Sequence, residues 1–267
     1  TIGRMVATLR PLGAGAGTWR QRLMAAPLSG GIRYNGPAAV LFSLAGLADQ
    51  QLSGPIGVAA DFGGQVERPQ LTGAVRANNL VYENETYGTR LSNLKLDGRF
   101  TSDRFVINTL TATAGSGTVS VTGSAGLSAE QGFPLAITAD LVNARLARSD
   151  SLGAVATGKI SVTRDAKGCR IAGRLTIPEA RYEVIRQGAA EVPELTGMRR
   201  KGQALQTPEQ RAAAESAGTF ALALRLRSEN RLYISGIGLE SEWRANLIVG
   251  GTSANPEVGG NATLVRG

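Results

Sequence analysis

The run Phe220-Ala221-Leu222-Ala223-Leu224-Arg225-Leu226-Arg227 decides the fold. Large apolar side chains take every second position, and alanine or arginine fills the positions between. Side chains alternate across a strand, so this period of two describes a half-buried β-strand with one apolar face. The same period recurs upstream and downstream. Leu247 and Val249 follow Trp243 and Ala245, opposed by Glu242, Arg244 and Asn246. Ile160 and Val162 alternate with Lys159, Ser161 and Thr163; Leu175 and Ile177 alternate with Arg174 and Thr176. Earlier come Leu135, Ile137 and Leu141, then Val119 and Val121, Phe105 and Ile107, and Leu94 and Leu96. Together with Phe220, Leu222, Leu224 and Leu226, these are the candidate residues of a hydrophobic groove, lining the inward side of many successive strands.

Composition supports many short elements over a few long ones. In 267 residues there are 35 Gly and 10 Pro, while aromatic residues make up 5%. Glycine is nearly twice its usual share of about 7%, which suits frequent turns. Hydrophobic residues at 42% and charged residues at 19% describe a folded chain. The longest apolar stretch, from Pro37 to Ala48, falls far short of the roughly 20 residues of a spanning helix.

The absence of histidine removes the Ser/His/Asp and Cys/His arrangements and histidine-bearing zinc sites. A single thiol, Cys169, cannot close an internal disulfide; it is expected in the turn beginning at Asp165. Ser92 to Lys95 spell SxxK, but on an alternating strand with Leu94 inward the Lys is not brought onto the Ser. Gly13, Gly15 and Gly17 lack the Lys and Ser/Thr of a phosphate loop and read as a linker. Gly115 and Gly117 read as a hairpin turn. Asp97, Asp103, Asp140 and Asp165 fall near strand ends without a local pair for acid/base work. The chain is therefore expected to have no catalytic residues, no metal site and no cofactor, and not to be an enzyme.

Net charge is +8, and all but four of the 29 basic residues are arginine. They are scattered singly, and the densest cluster, Arg199 to Lys201, carries no interleaved aromatics, so no nucleic-acid partner is expected.

Helical signals are few. Thr207 can cap a helix with Pro208 at its first position and Gln210 completing a capping box, so a helical insertion is expected at about 187–217. Weaker candidates lie at Trp19 to Ala25 and Ala38 to Leu47. Residues 1–50 are expected to form a segment with short helices leading into a β-domain over 51–267.

Two internal echoes point to repetition. Gly63, Gly64, Pro69, Leu71 and Gly73 match Gly250, Gly251, Pro256, Val258 and Gly260 in spacing. Gly73, Val75, Tyr82 and Glu83 match Gly173, Leu175, Tyr182 and Glu183 one hundred residues on. Such echoes suggest a stack of strands, each paired with its neighbours. With helices scarce, the apolar face is covered only if the sheet folds over on itself. Full closure makes the aliphatic residues ordinary core of a structural β-sandwich or a protein-interaction module; partial closure leaves an apolar trough.

The terminal run LYISGIGLESEWRANLIVGGTSANPEVGGNATLVRG, Leu232 to Gly267, resembles the C-terminal domain of the TamB family, the inner-membrane component of the translocation and assembly module. The glycine-bearing pattern is carried by Gly236, Gly238, Leu239, Leu247, Val249, Gly251, Thr252, Pro256, Val258 and Gly260. The segments Gly173 to Val184 and Leu71 to Gly98 resemble the repeating units of that domain, and the likeness runs roughly from Gly54 onward. The resemblance implies an all-β, elongated, partly open, taco-like sheet with an aliphatic inner groove in the periplasm of a diderm bacterium. It also implies anchoring in the inner membrane through an N-terminal helix outside this stretch. The implied partners are phospholipid acyl chains, an Omp85-type outer-membrane barrel met through other parts of the protein, and unfolded outer-membrane protein strands. The implied work is assembly of outer-membrane and autotransporter proteins and phospholipid transport toward the outer membrane.

Overall fold

A computed structural model of the chain describes residues 2–9, 18, 19, 21, 25–43, 49–65, 69–128, 132–165, 168–184 and 219–267. The first four strands are β1 (Ile2–Leu9), β2 (Leu28–Pro37), β3 (Gln50–Ser53) and β4 (Pro55–Gly64). Then follow β5 (Pro69–Asn84), β6 (Thr89–Ser102), β7 (Arg104–Ala114), β8 (Gly117–Gly126) and β9 (Leu135–Arg148). The remaining strands are β10 (Leu152–Asp165), β11 (Gly168–Glu183), β12 (Phe220–Gly236), β13 (Leu239–Gly251) and β14 (Pro256–Arg266). One short helix, α1 (Ala38–Phe42), follows β2. No helix among the described residues is long and apolar enough to cross a membrane, which says nothing of strands.

Among the described residues all the strands join one 14-stranded sheet in the order β1-β2-β4 and onward to β14, with β3 set aside on β5. The chain is all-β, and its sheet is open rather than sealed into a sandwich. Strand follows strand through antiparallel hairpins, except that β11 and β12 run parallel. Alternation reveals which residues share a face but not the direction of the neighbour, so this reversal has no signature in the strand pattern. Residues 1–50 hold more than a helical lead-in, because β1 and β2 lie in the same sheet. In β2, Ile32 and Tyr34 alternate with Arg33 and Asn35, the same two-residue period that marks the later strands. Of the expected helices, Ala38 begins α1, and Trp19 and Gln21 are helical with the Ala25 N–H donating to the Gln21 carbonyl at 3.0 Å. The expected helix after Thr207 and the Gly13–Gly17 linker lie outside the described residues.

The two echoes are hairpin and strand modules. Gly64 faces Pro69 where β4 meets β5, and Gly251 faces Pro256 where β13 meets β14. The two glycines have φ of 86° and 70°, which a β-carbon disfavours, and the proline opens the return strand. Tyr82 and Tyr182 each lie beyond a register shift in a 16-residue strand, at Ala77/Leu80 in β5 and Thr176/Ala180 in β11.

Such shifts recur on strand after strand and bend the sheet. At three of them the backbone takes positive φ at an asparagine: Asn79, Asn93 and Asn143. Asn tolerates this region better than branched residues do. Beyond this seam the short β7–β8 hairpin ends, and β6 curls past it to reach β9. The Arg148 N–H donates to the Tyr87 carbonyl at 3.0 Å, and the Thr89 hydroxyl donates to the Leu146 carbonyl at 2.5 Å.

Candidate hydrophobic groove

Directly paired residues point to one side of a sheet, so the registers define rows across it. The central row runs Ile56, Ala77, Leu96, Leu110, Val121, Ala139, Ile160, Gly173, Leu224, Val249 and Val258, from β4 to β14 without interruption. Each member is apolar or glycine. On one side lies the row Val58, Val75, Gly98, Ile107, Gly123, Ile137, Val162, Ile171 and Leu222. On the other lies Ala112, Val119, Leu141, Gly158, Leu175, Leu226, Leu247 and Gly260. An outermost row holds Ala60, Gly73, Phe100, Phe105, Ala125, Leu135, Arg164, Cys169 and Phe220. At about 4.8 Å per strand the floor is about 60 Å long.

These rows contain the groove candidates named from the sequence, except two. Leu94 pairs with Leu80 just past the seam, and Ile177 packs beside Leu175 against the same face. Sequence reasoning missed Ile56, Val75, Leu110 and Val258, which complete the rows; in Val258 and Leu264 the alternation was present but diluted by glycine. Cys169 was expected in a turn. It is the second residue of β11 and faces Arg164, whose Nε donates to its Sγ at 3.0 Å, because the strand restarts at Gly168. Ser92 and Lys95 lie on β6 opposite Thr113 and Thr111, separated by the Asn93 bulge, with Leu94 turned inward and buried.

The floor is filled unevenly. At its β4–β7 end Ala38 and Leu41 of α1 pack with Ile56, Val75, Leu80 and Leu94. The Phe100 and Phe105 rings lie 4.9 Å apart there, and Phe105 lies over Gly98. A second cluster gathers Ala114, Val119, Leu141, Ala144, Ala156 and Leu175, with Leu91 shared between the two. Toward β14 the cover thins. Leu224, Leu226, Leu247 and Val249 are half-buried, and Val258 is 63% exposed. Leu80 is the only large side chain less than 2% exposed among the described residues. A sealed sandwich of this size would bury many such residues, because facing sheets interdigitate into a dry core.

Polar groups hold the far ends of the last strands. The Glu242 carboxylate accepts from the Arg266 Nη2 at 2.7 Å and Nε at 3.1 Å, and from the Arg231 backbone N–H at 3.2 Å. The Arg266 hydrogen bond is the main reason its pKa lies below the ordinary carboxylate value. The Trp243 Nε1–H donates to the Ser241 hydroxyl at 2.9 Å. On the outer face Asp97 is likewise held low, chiefly by the amide of Asn108 at 2.7 Å. Among the described residues no group of His, Cys, Asp or Glu is placed to hold a metal ion.

Residues 108–267, more than half of the chain, match the family model of the TamB C-terminal domain. The chain belongs to the TamB family. The match begins inside β7, so the unit Leu71 to Gly98 lies outside it although it builds the same rows. The chain has no significant match among curated proteins or among solved structures. TamB membership associates the protein with outer-membrane assembly, in a family of assembly and transport components rather than catalysts.

Proposed function

We propose that this TamB domain carries amphipathic cargo along its apolar floor, with phospholipid acyl chains as the principal cargo. The observation that supports the reading is the central row: an unbroken line of aliphatic or glycine positions from β4 to β14, half-exposed over its last strands. Each buried methylene contributes roughly 0.8 kcal/mol, so a sixteen-carbon chain laid on such a floor gains on the order of 12 kcal/mol of transfer free energy. Nothing in the rows selects one position over the next, which suits sliding rather than tight binding. Headgroups would face water along the rim. In this reading the domain lies in the periplasm, is tethered to the inner membrane through another part of its protein, and hands cargo to an Omp85-type barrel, in lipid transport toward the outer membrane and in assembly of outer-membrane and autotransporter proteins.

The test is mass spectrometry of lipid co-purified with the domain, combined with photo-crosslinking amino acids placed at Leu222 and Leu224. Lipid adducts at both positions are expected; a lipid-free domain with no adducts would sink the reading.

One observation favours a second cargo. Among the described residues β14 pairs only with β13, and all its residues are exposed, leaving a long edge free of any described strand. An unpaired edge can template a client strand, so unfolded outer-membrane protein strands fit there by β-augmentation. Crosslinks from Asn261 and Thr263 to protein, with none to lipid, are the expected mark of that role.

A further inference from the structure

The bulged end of β9–β12 carries a cleft that the groove does not use. Its volume is about 360 Å³, within the usual range for small-ligand sites. Register sets Arg148, Gly153, Arg181 and Tyr233 in one row, and Arg145, Val155 and Glu179 in the next. Gly153 stands between the two arginines of its row, and a β-carbon built on it would meet nothing within 4 Å. The strands that carry Arg148 and Arg181 therefore lie about 10 Å apart, two strand spacings, with no side chain between the two arginines in that row. Glu179, the acid of the cleft, is already ion-paired with Arg231. Arg145, Arg148 and Arg181 have no acidic partner among the described residues, so three guanidinium charges line the cleft uncompensated.

We propose that this cleft is a phosphate-binding site, in which Arg148 and Arg181 grip the anion from both sides above Gly153 while Arg145 and the Tyr233 hydroxyl supply further donors. Guanidinium forks match phosphate oxygens in pairs, and a phosphomonoester carries about 1.5 to 2 negative charges against the three positive ones. A carboxylate leaves most of these donors unused. The phosphate belongs either to a lipid headgroup or to a soluble phosphate compound. The site stands whether or not acyl chains occupy the groove.

The experiment is calorimetric titration of the folded domain with inorganic phosphate at low salt, with acetate as comparator. Phosphate binding is expected, acetate binding is not. Arg148→Gln combined with Arg181→Gln should weaken phosphate about ten-fold or more. Gly153→Val, which fills the gap at unchanged net charge, should do the same. Arg174→Gln with Arg225→Gln removes two outer-face charges elsewhere and should leave binding intact; circular dichroism verifies folding of each variant. Flotation with phosphatidylcholine vesicles containing phosphatidic acid separates the sources. Co-flotation lost in Gly153→Val identifies a headgroup, and phosphate binding without co-flotation identifies a soluble ligand. The proposal is overturned by binding of neither probe, by equal loss in the Arg174/Arg225 control, or by full binding in the Arg148/Arg181 variant.

Discussion

The floor at β5–β6 and the floor at β12–β14 have the same alternating pattern and opposite surroundings. Leu80 and Leu94 pair under the α1 cover and are buried, while Leu224, Val249 and Val258 share one row in which the first two are half-buried and Val258, on the edge strand, is bare. The apolar period is a statement about a face; whether that face becomes core or groove depends on what the chain lays over it. Here a five-residue helix and two phenylalanines in tilted contact are enough to make the difference.

Arginine substitution separates the two ends most sharply. Leu80→Arg places an unpaired charge where burial is complete and should prevent folding, because an uncompensated buried charge costs more than a domain's whole margin of stability. Leu224→Arg should fold, since its side chain can reach the open side of the floor, yet lose co-purified lipid. Circular dichroism and lipid mass spectrometry on the pair read both outcomes, and a Leu224→Arg protein that keeps its lipid breaks the contrast.

Alanine gives the same comparison in graded form. Leu80→Ala should cost about 2–5 kcal/mol, as deeply buried leucines do, whereas Leu224→Ala should cost about 1 kcal/mol or less because water already reaches it. Urea unfolding measures both, and similar costs would show that the C-terminal floor is covered after all.

How much of this was legible in the sequence follows from the physics of each feature. The rows were legible because side-chain direction in a strand repeats every two residues, so Leu222, Leu224 and Leu226 announce a shared face without any knowledge of partners. The closing Gly-Pro pairs were legible as repeats because a turn constrains its own residues. The parallel β11–β12 pairing was not, since strand direction depends on where the connecting chain returns. The cleft around Gly153 was not legible either. Arg148 and Arg181 are 33 positions apart in sequence and are brought to either side of Gly153 only by the register of β9, β10 and β11. The seam left a faint trace: an asparagine stands directly before a buried apolar residue at Asn79, Asn93 and Asn143, and only the structure shows their positive φ.

That seam supplies a smaller effect. The Asn143 N–H donates to the Thr157 Oγ1 at 2.9 Å, and that hydroxyl donates to the Asn143 Oδ1 at 3.2 Å. Asn143→Ala should destabilise by about 1–2 kcal/mol through the left-handed backbone and the lost bond, and Asn143→Gly by less because glycine accepts that backbone. Equal costs for the two would show that the hydrogen bond, not the bend, holds the seam.

The smallest effect concerns the edge strand and depends on pH. Glu242 is nearly buried, while its partner Arg266, at the end of β14, is mostly exposed, so water screens the pair on one side only. The folded protein holds the Glu242 pKa below its ordinary value of 4.5, and the unfolded chain does not. Stability from this contact is therefore complete above pH 4.5 and drains away as pH falls through the lowered folded value, because the folded state then takes up its proton last. Arg266 stays charged throughout that window, so protonating Glu242 removes the attraction and leaves the Arg266 guanidinium with a neutral acceptor. Amide hydrogen exchange should show β14 near Thr263 and Leu264 losing protection below that pH while β10 and β11 keep theirs. In Glu242→Gln the β14 amides should exchange faster at neutral pH and show no further acid step. An unchanged acid step in that variant assigns the fraying to some other carboxylate and detaches the edge from this ion pair.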